Sequence, residues 1–103
     1  MEPFTLILIA YLQVAECVGV EHPKPLPPTV TYSPAKWLKC SFGKCSGLYW
    51  RPPLRKIKIA TGRASMDLLK HELVHDLLQQ RDGNPDAKHR DPAFRECVYS
   101  RSP

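Results

Sequence analysis

The sequence predicts an α+β fold: an N-terminal helix, a small antiparallel or mixed sheet of two to four strands, a second helix that carries an H-E-x-x-H motif, and a short C-terminal helix. Three observations lead there. Apolar residues recur at three- and four-residue spacing in two stretches. Short alternating segments punctuated by glycine and proline lie between them. The eleven prolines outnumber the five glycines and cluster at 23–34, 52–53 and 85–103, leaving windows at 4–19 and 54–84 that proline does not interrupt. A chain of 103 residues with 43% hydrophobic content has length for one modest core. The expectation is a single domain over residues 1–103, without a separate recognition domain.

The first helix is expected over 4–19. Pro3 suits a first turn, Phe4, Ile7, Leu8, Tyr11, Leu12, Ala15 and Val18 make one wide apolar face, and Gly19 suits a C-cap. Residues 22–28 read as a rigid extended linker, with His22 a solvated position on it.

Strands are expected within 29–60. Residues 29–32 alternate β-branched and aromatic side chains. Residues 37–50 suit a hairpin turning at Gly43 and Gly47, and Pro52 and Pro53 close it. Residues 56–60 alternate Lys and Ile, which predicts a sheet edge, since lysines discourage further pairing. A turn follows at 61–64.

The second helix is expected over 65–81, with Ser65 as N-cap, Asp67 in its first turn, and Met66, Leu69, Leu73, Leu77 and Gln80 at helical spacing. Asp82, Gly83, Asn84 and Pro85 stop it. A last short helix is expected over 91–99 behind Asp91.

The formal charge is +5. Its carriers, Lys24, Lys36, Lys39, Lys44, Arg51, Arg55, Lys56 and Lys58 among them, are scattered, which describes a solvated basic face and argues against a specific nucleic-acid partner. Trp37, Tyr49 and Trp50 interleave with the central cations, which leaves a weak attraction to DNA as a lesser reading. The apolar run at 4–12 is too short to span a bilayer. No Lys or Arg precedes His22, and Glu2 has the wrong sign for a signal peptide. A cytoplasmic monomer without membrane association is expected, with secretion the alternative.

Cys17, Cys40, Cys45 and Cys97 would be reduced by default in the cytoplasm, whereas a secreted chain would pair them in one of three ways. Cys40 and Cys45 could be a hairpin disulfide, a metal-binding pair or core thiols. No second pair has the spacing of a structural zinc site.

His71, Glu72, Leu73, Val74 and His75 form the H-E-x-x-H motif. Histidines four apart project from one helix face, offset by about 40°, so both imidazoles can reach one ion. Glu72 lies about 100° round from His71, placed to accept a proton from a metal-bound water without itself coordinating. The bland alternative is a surface helix with two stray histidines. Against it stand the Leu69, Leu73, Leu77 stripe and the central position of the motif in its helix. Catalytic zinc normally takes three protein ligands, so a third is expected downstream. The metzincin pattern would need Gly at 78 and His at 81, and Leu78 and Arg81 exclude it. His89, Glu96, Asp82, Asp86 and Asp91 remain, with His89 foremost because it follows a helix-stopping turn and is the last histidine downstream. The expected site is Zn2+ on His71, His75 and His89, with Glu72 catalytic.

The segment from H-E-L-V-H to H-R-D-P-A-F resembles the SprT-like and YgjP-like (WLM-related) metallopeptidases. The upstream C-S-F-G-K-C-S-G-L-Y-W leading into K-I-K-I is similar to the strand pair before their active-site helix. The resemblance implies a zinc metalloendopeptidase acting on peptides or unfolded protein, with His71, His75 and His89 as ligands, Glu72 as base and Phe94 packed beneath the third ligand. Stand-alone mini-zincins share the element order, and the minigluzincins among them would favour Glu96 as third ligand. The strand at 56–60 would hold an extended peptide by edge pairing, and Tyr99, Tyr49, Arg90 and Arg95 are candidates to stabilise an oxyanion. This chain is shorter than those families and carries a long excursion at 79–88. The competing function is a zinc-stabilised binding module, which has no use for an acid beside its ligands. A third, DNA-associated proteolysis, lacks a discrete DNA-binding element.

Overall fold

In the first helix, α1 (Phe4–Val18), Ile7, Ala10, Tyr11, Val14, Ala15 and Val18 turn to the interior. Phe4 and Leu12, counted in the apolar face from the sequence, are exposed together with Leu6 and Ile9. Pro3 stands outside the helix as its N-cap, in extended backbone. Gly19 adopts φ 92° and its N–H closes onto the Ala15 carbonyl, a left-handed cap that a side chain would disfavour. The computed structural model describes residues 3–41, 43–63 and 65–99.

Among the described residues five strands follow: β1 (Thr29–Ser33), β2 (Leu38–Cys40), β3 (Gly43–Cys45), β4 (Gly47–Trp50) and β5 (Lys56–Ala60). The first, fifth and fourth form a mixed sheet in the order β1-β5-β4, and β2 and β3 form a separate antiparallel hairpin. In the mixed sheet β1 runs parallel to β5, with Val30 opposite Ile57, while β4 runs antiparallel to it, with Tyr49 opposite Ile57.

The edge position expected for 56–60 is therefore corrected: β5 is the central strand. Its lysines do not block pairing because side chains leave a strand through the faces of the sheet, not through its hydrogen-bonding edges. Ile57 and Ile59 are buried on one face. Lys56 stays on the other, with Nζ 5.2 Å from the centre of the Trp50 ring, a cation–π contact.

After a 3-10 turn (Thr61–Arg63) comes α2 (Met66–Asp82); of the turn expected at 61–64, Ala64 lies outside the described residues. Ser65 caps this helix by accepting from the Leu68 N–H at 3.1 Å, and Gly83, at φ 73°, ends it. Leu69, Leu73, Val74, Leu77 and Leu78 are completely buried, packed among α1, the sheet and the C-terminal segment. Each such side chain contributes roughly 1.5–3 kcal/mol of burial, so α2 is the member around which the others assemble.

The last helix, α3 (Ala93–Glu96), is a single turn, shorter than expected. Pro92 takes the N-cap position, although the Asp91 carboxylate still accepts from the Ala93 N–H at 2.9 Å. Beyond it, Val98 enters the core and Cys97 meets Cys17 in a disulfide, with 5.7 Å between the α-carbons. The default of four reduced thiols fails at this pair because packing of α1 near α3 joins positions 80 residues apart. A disulfide is unusual in a reducing cytoplasm, against the expected compartment. Cys40 and Cys45 are free thiols. Among the described residues no helix is long and apolar enough to cross a membrane.

Candidate metal centre

His71 and His75 lie one turn apart on α2, and the chain after Gly83 folds back to bring His89 against both. The Nε2 atom of His89 is 3.1 Å from Nε2 of His71 and 3.1 Å from Nε2 of His75. These two separations are near the roughly 3.3 Å between ligand nitrogens on a tetrahedral ion with metal–nitrogen bonds of about 2.0–2.1 Å, and the three candidate donor atoms all lie within 4.8 Å of one another, so the cluster could hold a metal ion.

The returning loop holds this arrangement by its own hydrogen bonds. The Asp86 N–H donates to Asn84 Oδ1, the His89 N–H to the Asp86 carbonyl, and the Asp91 N–H to the Asp86 carboxylate, at 2.9, 3.0 and 2.6 Å. Asp86 and His89 both adopt positive φ, 59° and 55°. Left-handed backbone costs a residue with a side chain roughly 1–2 kcal/mol, so the loop carries strain where it presents His89 to the other two rings.

His75 Nδ1 lies 2.7 Å from the Pro85 carbonyl. A carbonyl can only accept, so Nδ1 carries the proton and Nε2 keeps its lone pair for the cluster. Beneath all three imidazoles lies the Phe94 ring, with centroids 5.0, 4.6 and 4.8 Å from those of His71, His75 and His89. Burial, followed by the charges of His75 and His89, lowers His71 to about 4, and burial above all lowers His75 despite the Pro85 carbonyl. Both are therefore neutral at pH 7, the form that binds a metal.

Glu72 is 5% exposed, and burial raises its carboxyl to about 7. It packs against Gly47 at the start of β4, where an added Cβ would come within 2.9 Å of Glu72 Oε2. A cleft of about 530 Å³ opens over the cluster, bordered by Glu72, residues 46–49, the thiols of Cys40 and Cys45, and Tyr99.

Comparison with protein-family models, curated proteins and solved structures returned no match.

His71, His75 and His89 form the one group of three or more metal-capable side chains among the described residues. Glu96 is exposed on α3 and stands outside it. Asp82 and Asp91 both pair with Arg81, at 2.8 and 2.7 Å, and Asp86 holds the loop.

Of the oxyanion candidates, Tyr49 has its hydroxyl committed to Asp76 at 2.7 Å, and burial and then that carboxylate push its phenol well up. Tyr99 is 60% exposed at the cleft, whereas Arg90 and Arg95 are exposed and do not line it.

Sequence reasoning missed the polar knot behind the site. Asp76, completely buried, accepts from Tyr49 and Arg55 Nε through Oδ1, and from Arg55 Nη2 and Gln80 through Oδ2, at 2.7–3.0 Å. Gln80 also donates to the Tyr11 hydroxyl, which in turn donates to the Lys24 carbonyl, both at 2.9 Å. The knot joins α1, the linker, β4 and the turn before β5 to α2, the helix that carries His71 and His75. One signal was available: Asp76 sits between His75 and Leu77 within the apolar stretch L-V-H-D-L-L, where a buried carboxylate requires partners.

Proposed function

We propose that this chain is a zinc-dependent metallopeptidase, with His71, His75 and His89 as the metal ligands and Glu72 as the general base. The observation that carries this reading is the convergence of three imidazole nitrogens beside a buried carboxyl. Bound zinc would supply a water acidified towards neutrality and a Lewis acid for the scissile carbonyl.

The side chains would do the rest. Glu72, raised to about 7, is suited to take a proton from the attacking water near neutral pH and to return it to the leaving amine. The Pro85 carbonyl fixes the His75 tautomer, and Phe94 excludes water from beneath the rings. Tyr99, exposed at the cleft, is the candidate best placed to steady an oxyanion.

The substrate would be a peptide or an unfolded segment. It would lie along β4, the edge strand that borders the cleft, in place of the 56–60 strand. An extended chain there gains affinity from backbone pairing, with little side-chain selectivity. The resemblance to SprT-like metallopeptidases supports the same chemistry.

Cleavage of casein by the zinc-loaded protein tests the proposal. Glu72→Gln should keep its zinc and lose the cleavage. Unchanged cleavage in that variant would remove the mechanism, and full zinc without cleavage in the parent would leave the binding-module reading.

A further inference from the structure

Cys40 and Cys45 take no part in the metal site, yet both border its cleft. In the β2–β3 hairpin Cys40 is opposite Gly43, and Cys45 is opposite Leu38. The two cysteines are thus diagonal neighbours, offset by two residues on the same hairpin face. The Cys40 thiol donates to the Gly43 carbonyl at 3.2 Å, and burial, followed by the neighbouring Cys40, pushes the Cys45 thiol up to about 12. Both residues are partly exposed, so a small oxidant can reach them. The hairpin is a ladder separate from the mixed sheet and joins β4 through Ser46, whose carbonyl accepts from the Ala60 N–H at 2.9 Å. The Cys17–Cys97 bond also fits a compartment in which disulfides persist.

We propose that Cys40 and Cys45 form a reversible dithiol–disulfide pair that locks the hairpin wall of the cleft. The reaction needs a disulfide oxidant such as oxidised glutathione. One cysteine thiolate attacks a sulfur of the oxidant, forming a mixed disulfide and displacing one glutathione thiolate. The second cysteine then gives up its proton, attacks the protein sulfur of the mixed disulfide and displaces the other glutathione. Two protein thiols become one disulfide, one glutathione disulfide becomes two thiols, and the two cysteine protons pass through solvent to the leaving thiolates. Cys45 is two residues from Gly47, against which Glu72 packs, so the bond stiffens the wall that faces the carboxyl. The proposal does not depend on the metal reading.

The test uses the full chain with Cys17–Cys97 intact, equilibrated in mixtures of reduced and oxidised glutathione, quenched in acid, alkylated unfolded, and digested with trypsin without reduction. Trypsin cuts after Lys39, Lys44 and Arg55 but not between Arg51 and Pro52, giving peptides 40–44 and 45–55. The expected result is a single joined species of these two peptides, with both free thiols vanishing together and returning when reduced glutathione is restored. Cys45→Ser should instead accumulate one glutathione on Cys40, and Cys40→Ser one on Cys45. Two glutathiones on the parent chain without the joined species would overturn the proposal, as would thiols that stay alkylatable at every ratio. Protection of both thiols by a second equivalent of zinc would overturn it in favour of a metal pair.

Discussion

The Glu72 carboxylate lies against the bare α-carbon of Gly47, so close that a methyl group there would sit 2.9 Å from Oε2 and 3.2 Å from Cδ. Gly47→Ala should therefore displace the carboxyl while leaving the three histidines in place. If Glu72 is the general base proposed above, whose placement contributes roughly 10²–10⁴-fold, kcat should fall roughly 10²-fold with KM and zinc content little changed. Steady-state kinetics with metal analysis check it. Parallel loss of zinc would mean that Gly47 supports the helix and not the base.

Glu72 also gives the metal-free protein a pH signature. Its carboxyl is raised from 4.5 to about 7 by burial, so between those values the folded state keeps a proton that the unfolded chain has released. Stability from this group falls as pH rises through that window, and the cost, at most roughly 3 kcal/mol, is complete above it. His71, lowered from 6.5 to about 4, acts in the opposite sense: its contribution is present above 6.5 and is lost as pH falls through 4. Urea unfolding with a chelator present should find Glu72→Gln level with the parent below pH 4.5 and more stable than it above pH 7. A difference that does not vary with pH would refute the buried carboxyl.

The third ligand is decided by metal content. His89→Ala should lose zinc at micromolar free metal and keep the parent's far-ultraviolet circular dichroism with chelator present, while Glu96→Ala should bind one equivalent as the parent does. Zinc retained without His89 and lost without Glu96 would reverse the assignment.

Removing Asp76 leaves the Arg55 guanidinium, only 17% exposed, without its bidentate partner. Breaking such a pair costs roughly 3–5 kcal/mol, and an apolar replacement of both partners is far less damaging. Asp76→Ala should shift the urea midpoint sharply down, and Arg55→Met combined with Asp76→Leu should recover much of the loss. Equal losses in both variants would place the cost in the Tyr49 and Gln80 hydrogen bonds to Asp76, which both variants lack, and not in the unpaired guanidinium.

The helix carrying the motif was legible because its evidence is local: Ser65, Gly83 and the leucine spacing lie within one stretch of chain. His89 could be named as the residue foremost to join His71 and His75 since few candidates remained downstream, and the three do cluster. What the sequence concealed depends on contacts between distant segments. The central place of β5 is set by which strands pair with it. The Cys17–Cys97 bond follows from helix packing. Asp76 looked like an ordinary polar residue until Tyr49, Arg55 and Gln80 were brought round it. The role of Gly47 is likewise invisible where no side chain exists to be read.

The Cys17–Cys97 bond turns residues 17 to 97 into a covalent ring. One cut within that ring by a protease opens the backbone without releasing a fragment. A nicked molecule would gain the mass of one water and migrate close to the intact chain until it is reduced. Such a nick would thus escape notice in an assay that leaves the bond in place, while the severed ends stay tethered to the core they came from.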